Sequence, residues 1–118
     1  MKIQTYKDLI VWQKSMELVV EIYKLTDLFP KSEAYGLTAQ MRRSVISIPS
    51  NIAEGRLRGH RKEFHQFLLI AYGSGGELET QISIAKKIQF IENTDALKAE
   101  SLLNEVMRML NSMIAKLR

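Results

Sequence analysis

Residues 61–90 read RKEFHQFLLIAYGSGGELETQISIAKKIQF, and the reading of this stretch decides the fold. Phe64, Leu68, Ala71, Gly75, Leu78, Ile82 and Ala85 recur in it at strictly alternating spacings of four and three. That period draws one apolar stripe along a helix and is incompatible with a strand. Gly73, Gly75 and Gly76 fall mid-helix, where each costs about 1 kcal/mol against alanine. The usual compensation is close approach of a neighbouring helix or a local bend. Downstream, Glu92-Asn-Thr-Asp95 reads as a turn with Asn93 or Thr94 as cap. A helix over 94–117 follows, with Ala99, Leu103, Val106, Leu110, Met113 and Leu117 at the same spacing. Upstream, Ser32 is a candidate N-cap for a helix over 32–55 whose apolar face is Leu37, Met41, Val45, Ile48 and Ile52. Gly55 reads as its stop. Pro49 removes the bond to the Val45 carbonyl, which predicts a kink rather than a break because the period continues past it. The first helix is expected over 6–29, with Leu9, Trp12, Met16, Val19, Tyr23 and Thr26 as its stripe. Thr5 and Asp8 resemble a capping box, and Pro30 ends the run.

Four long helices joined by short turns predict an all-α fold, an antiparallel up-down-up-down four-helix bundle in one domain over 1–118. The 3.5-residue period implies crossings of about +20°. The chain has no cysteine, which removes disulfides, thiolate metal sites and a Cys nucleophile, and fits a reducing, cytoplasmic setting. The start, MKIQTYKDLIVW, lacks the apolar run of a signal peptide. No stretch approaches the apolar length of a membrane span.

The first helix carries a second apolar stripe, Val11, Leu18, Ile22, Leu25 and Phe29, roughly opposite the first. Ile84 and Ile88 also lie off the main stripe of the third helix. A wide bundle core accommodates flanking positions of this kind. A helix apolar on two sides also suits a homo-oligomer, and the second stripe is the expected oligomer interface.

Charge is unevenly placed. The net charge is +4, and residues 31–62 alone carry +5, from seven basic residues against Glu33 and Glu54. Arg56, Arg58, Arg61 and Lys62, with His60, crowd the turn between the second and third helices, and Arg42 and Arg43 lie about three turns back. Guanidinium groups suit phosphate, and a local excess points to an anionic partner. A basic turn that only keeps the protein solvated is the competing reading. No aromatic residue is interleaved among these arginines, so base stacking has little support.

Catalytic constellations are lacking. His60 and His65 are five apart and face differently on a helix, so they make no metal pair. Glu77 and Glu79 form no acid/base dyad. The helical serines Ser44, Ser47, Ser50 and Ser74 sit in no nucleophile elbow. The run Gly73-Ser-Gly-Gly76 lacks the spacing of a phosphate-binding loop. These readings predict no catalytic residues, no metal, no cofactor and no enzymatic activity. A polar stripe on the second helix, Gln40, Ser44, Ser47, Asn51 and Glu54, reads either as a polar groove or as small residues that admit a neighbouring helix.

Several stretches resemble the four-helix-bundle proteins encoded by intervening sequences in bacterial 23S ribosomal RNA genes, the S23 family. They are Tyr6-Lys-Asp-Leu-Ile-Val-Trp-Gln13, Phe29-Pro-Lys-Ser-Glu33, Tyr35-Gly-Leu-Thr-Ala-Gln-Met-Arg-Arg43, Ser47-Ile-Pro-Ser-Asn-Ile-Ala-Glu-Gly55 and Glu77-Leu-Glu-Thr-Gln81. They stand in order and cover nearly the whole chain. The resemblance implies a ring-shaped homopentamer. It extends to the accessory protein of diversity-generating retroelements, where a basic pentamer binds nucleic acid and a reverse transcriptase. Arg42, Arg43, Asn51, Glu54 and Gly55 match the family motif, though the family assigns none of them a proven role. One departure is Gly75, where the family usually has a larger apolar residue; it bears on the straightness and packing of the third helix.

Together these readings predict an oligomer that binds RNA or DNA through Arg42, Arg43, Arg56, Arg58, Arg61 and Lys62. The alternative is a structural or protein-interaction module without a direct nucleic-acid role. A catalytic or small-molecule protein has no constellation behind it. The resemblance adds a nucleic-acid enzyme such as a reverse transcriptase as a possible protein partner.

Overall fold

The computed structural model describes residues 4–118, and these residues form four α-helices and no strand. The helices are α1 (Ile10–Thr26), α2 (Leu37–Leu57), α3 (Arg61–Lys87) and α4 (Leu97–Lys116). Single 3₁₀ turns at Tyr6–Asp8, Lys31–Glu33 and Asn93–Ala96 precede α1, α2 and α4. At 1.5 Å per residue α3 is about 40 Å long, and it sets the 42 Å long axis of the molecule.

Contacts between neighbours fix the topology. Along α2 and α3, Ser44 meets Glu77, Ser47 meets Ser74 and Gly55 abuts Phe67. Along α3 and α4, Lys86 meets Glu100, Gly75 abuts Met107 and Arg61 reaches the Lys116 carbonyl. Along α1 and α4, Lys14 pairs with Glu105 and Glu21 with Lys98. In every case one number rises as the other falls, so each of these pairs is antiparallel. The bundle closes with α1 against α2 and α4.

The predicted stripes of α2, α3 and α4 face the core. Met41, Val45, Ile48 and Ile52 are buried with Leu68, Ala71, Leu78, Ile82, Ala85, Leu103, Val106 and Leu110. The fourth partner is the correction. Val11, Leu18, Ile22, Leu25 and Phe29, expected at an oligomer interface, are 0–5% exposed inside the single chain. They are the α1 contribution to the core and are not available to a second subunit. Of the other stripe, Met16 and Tyr23 are exposed and Leu9, Trp12 and Val19 half-buried, while Thr26 at its end is buried. Both stripes have helical spacing, so period does not choose between them. The side chains do: the inward stripe is aliphatic with one phenyl ring, whereas Trp12 and Tyr23 carry polar tips that stay at the water boundary.

Helix ends differ from the sequence expectations for local reasons. Leu9 is extended (ψ 125°) and separates the first turn from α1, so the helix starts at Ile10 rather than residue 6. The Thr5–Asp8 capping box exists but closes only the 3₁₀ turn, with Asp8 Oδ2 accepting the Thr5 N–H at 3.1 Å. Ser32 lies within a 3₁₀ turn and caps nothing. Instead Glu33 Oε1 accepts the Leu37 N–H at 3.1 Å and α2 starts there. The helix runs unbroken through the buried Pro49 and past Gly55 to Leu57. Gly59, at φ +77°, marks the stop, a conformation glycine adopts at little cost. Gly55 has a different role: a Cβ there would lie 2.6 Å from Phe67 Cβ, so its absence lets α3 close on α2. The third helix ends at Lys87, three residues early, because Gln89 takes φ +64° and returns Phe90 toward Phe29, with ring centroids 5.4 Å apart. The cap ahead of α4 is Glu92 rather than Asn93 or Thr94, with Asp95 Oδ2 accepting its N–H at 2.9 Å. Of the α3 glycines, Gly75 is where α4 approaches closely, since an added Cβ would overlap the Met107 thioether. Gly73 and Gly76 face open space.

Candidate nucleic-acid interface

Antiparallel packing brings the end of α2, the start of α3 and the end of α4 to one pole of the bundle. A nitrogen of the Arg61 guanidinium donates to the Lys116 carbonyl and ties the turn between α2 and α3 to the last turn of α4. Arg56, Arg58, His60, Arg61 and Lys62 are all exposed there, and Lys116 at the end of α4 and Arg118 just beyond it join them. Six cations thus stand near Glu54 and Glu63. At this pole lies a cavity of about 300 Å³ lined by Gly55, Arg56, Gly59, His60, Arg61, Phe64 and Leu117.

These groups are not equally free. Arg58 is held by Glu54 at 2.8 Å and faces Glu63 at 3.7 Å, with its guanidinium 5.2 Å from the Phe67 ring centre. The hydrogen bond to Glu54 raises its pKa above the ordinary arginine value. Arg58 thus keeps its positive charge but shares it with two carboxylates, and because the Glu54 pair is exposed on both sides the tie is weak. Arg56 and Lys62 have no ion pair among the described residues, which leaves both charges to solvent.

Arg42 and Arg43 do not join this pole. Fourteen residues of helix separate Arg42 from Arg56, roughly 21 Å at the helical rise. Arg42 is also occupied, with Nε donating to Thr26 Oγ1 at 2.9 Å and Nη2 to Asp27 Oδ1 at 3.0 Å. Its guanidinium lies 4.3 Å over the Tyr23 ring. This residue fastens the start of α2 to the end of α1 and is withdrawn from the nucleic-acid set. Arg43 is exposed but borders a polar cleft with Gln40, Ser44, Ser47, Ser74, Glu77 and Gln81.

The polar stripe of α2 forms the floor of that cleft. The Ser44 hydroxyl lies 3.0 Å from the Gln40 carbonyl and 2.9 Å from Glu77 Oε1. Ser47 and Ser74 hydroxyls are 2.8 Å apart, and Asn51 Nδ2 donates to the Ser47 carbonyl at 2.7 Å. The small residues admit α3 and bond to it, the second of the two readings open for this stripe. Glu54 is the exception, turned instead to Arg58.

Sequence reasoning missed two parts of the pole. Lys116 and Arg118 are remote in the chain, yet an up-down topology already places the end of α4 beside the turn between α2 and α3. Phe64 was read only as a core residue, but its half-buried ring also lines the basic cavity, so an aromatic surface does accompany the arginines. No group of three or more His, Asp or Glu side chains among the described residues is placed to hold a metal. No helix among them is long and apolar enough to cross a membrane.

The sequence profile of the 23S rRNA-intervening sequence proteins matches residues 7–112. Among solved structures, the chain is similar to a protein of unknown function from the S23 ribosomal protein family of Bacteroides thetaiotaomicron VPI-5482. The two share 26% identity and superpose with a TM-score of 0.79 over 89% of this chain and 98% of the other. No curated protein matches the sequence.

Proposed function

This chain belongs to the 23S rRNA-intervening sequence protein family, and on that premise we propose that it is a non-enzymatic, self-assembling bundle that holds nucleic acid by its phosphates at the basic pole. The observation that carries the reading is the bond from Arg61 to the Lys116 carbonyl, which ties the last turn of α4 to a cavity lined by Arg56 of α2 and Arg61 of α3. The start of α3 adds to the field: His60 at its N-cap makes no side-chain cap bond, so first-turn N–H groups remain for an anion.

Self-assembly is supported by apolar surface that the monomer leaves uncovered. Met16, Val20 and Tyr23 on α1, and Leu69, Ile70 and Ile84 on α3 with Ile88 at its C-cap, are 37–52% exposed. Two different faces suit a head-to-tail contact, the kind from which rings are built when the rotation between neighbours closes. Five copies is the number the family resemblance implies. Each added copy repeats the basic pole and raises avidity without new chemistry.

The test is salt-dependent binding to single-stranded RNA and DNA of mixed sequence. Contact with six or more phosphates lowers affinity by about three orders of magnitude between about 50 and 200 mM salt. Arg56→Gln, Lys62→Gln and Lys116→Gln together should flatten that slope while helicity and assembly stay unchanged. An unchanged slope, or no binding by the wild type at low salt, rejects the reading and favours a protein-interaction module.

A further inference from the structure

The cavity at the basic pole has a shape and charge that an internal phosphodiester does not fully use. Its walls come from three helices: Gly55 and Arg56 from α2, Arg61 and Phe64 from α3, and Leu117 just beyond α4, with Gly59 and His60 from the turn. At about 300 Å³ it lies at the lower end of small-molecule sites. That is room for one nucleotide, not for a duplex. Arg56 is free of ion pairs among the described residues. Arg61 spends one nitrogen on the Lys116 carbonyl and keeps its other donors. His60 adds a ring nitrogen from the turn. Phe64 and Leu117 supply an apolar surface beside these donors. No carboxylate lines the cavity.

We infer that this cavity binds the terminal phosphomonoester of a nucleotide, either at the 5′ end of a nucleic-acid strand or on a free mononucleotide. A phosphomonoester carries about −1.5 to −2 charge at neutral pH and three acceptor oxygens. An internal diester offers one charge and two free oxygens. Donors entering from α2, the turn and α3 match the former. Base or sugar then rests against Phe64, where stacking tolerates any base. Lys62 does not line the cavity and serves phosphates farther along a strand. The inference deepens the phosphate-binding reading of the same pole, and the experiment separates the two.

Fluorescence anisotropy is measured with one short single-stranded RNA, labelled at its 3′ end and carrying either a 5′-phosphate or a 5′-hydroxyl. The phosphorylated strand should bind about tenfold tighter, the effect of one added charge-assisted hydrogen bond. Arg56→Gln should abolish that preference, and His60→Gln should reduce it. Lys62→Gln should weaken both strands alike and keep the preference. Circular dichroism on each variant confirms that the bundle is intact. Adenosine 5′-monophosphate should displace the phosphorylated strand, whereas adenosine should not. Displacement at the concentration that saturates the protein alone identifies a free mononucleotide as the better ligand; a large excess requirement identifies the strand end. Equal affinity for the two ends, or a preference that survives Arg56→Gln, overturns the inference and leaves backbone binding standing. Failure of both strands to bind at low salt, together with no effect of the mononucleotide, overturns both.

Discussion

Alanine at Gly55 and alanine at Gly73 should move stability in opposite directions. Both positions are helical, so both substitutions gain about 1 kcal/mol of intrinsic helix propensity. At Gly73 nothing lies within 4 Å of the added Cβ, and the gain is kept. At Gly55 the added Cβ would sit 2.6 Å from Phe67 Cβ and 3.2 Å from Phe64 Cδ1. Phe67 Cβ is bonded directly to the backbone, so relief requires α2 and α3 to separate. Overpacking of this kind costs about 1–3 kcal/mol, which cancels or exceeds the gain. Gly75 should fall between them, because the Met107 thioether that it would meet can swing aside. For a chain of this length about 1 kcal/mol corresponds to roughly 4 °C in Tm. Thermal unfolding followed by circular dichroism should show Gly73→Ala raised by about 4 °C and Gly55→Ala lowered by up to about 8 °C. Equal rises in both would mean that Gly55 is not a point of close approach. A fall in Gly73→Ala would mean that its outer face is covered by another chain.

Assembly should respond to the outward α1 stripe alone: Met16→Glu with Val20→Glu should reduce the light-scattering mass and leave the far-ultraviolet spectrum helical. Leu18→Glu with Ile22→Glu should instead unfold the chain, because both side chains are fully buried and an unpaired buried charge is costly. A dissociated but folded Leu18/Ile22 variant would restore the discarded interface. The first turn should respond to acid, since hydrogen bonds from the Gln4 and Thr5 N–H groups hold the Asp8 carboxyl below its ordinary pKa. A carboxyl with a depressed folded pKa contributes stability above its unfolded value of about 3.9 and loses it as pH falls through the folded value. Trp12, 5.4 Å from the Tyr6 ring, is the sole tryptophan and reports the change. Its emission should shift to the red below about pH 4 in the wild type and already at neutral pH in Asp8→Asn, whereas identical spectra would show the capping box to be idle.

The three-four spacing of α2, α3 and α4 was enough to place their core residues, because each of those helices has one continuous apolar face. For α1 it was not, because two faces share the same period. The distinction lay in side-chain chemistry, with Trp12 and Tyr23 on one side and Leu18 and Ile22 on the other. Glycine was legible as a class but not by role. Gly59 stops a helix, Gly55 and Gly75 admit a neighbour, and only the fold says which does what. The basic turn was visible as a charge excess. Its pairing was not, since Arg42 is spent on Thr26 and Asp27 across two helices, and Arg58 reaches Glu54 at i,i+4 only because α2 runs past Gly55. Lys116 and Phe64 belong to the pole through topology, and charge counted along the chain does not reveal that.

The three-residue turn at Arg58–His60 has a kinetic consequence. Gly55 and Phe67 touch across twelve residues of chain, whereas Lys14 and Glu105 pair across ninety-one. Closing the longer loop costs roughly 2 kcal/mol more in chain entropy. Arg42 and Asp27 meet across fifteen residues and Lys86 and Glu100 across fourteen, so each hairpin of consecutive helices can form before α1 and α4 meet, and that last contact closes the bundle late. The Gly59 bend is thus one of three short hinges about which the chain doubles back, and the basic pole is half assembled before α1 and α4 meet.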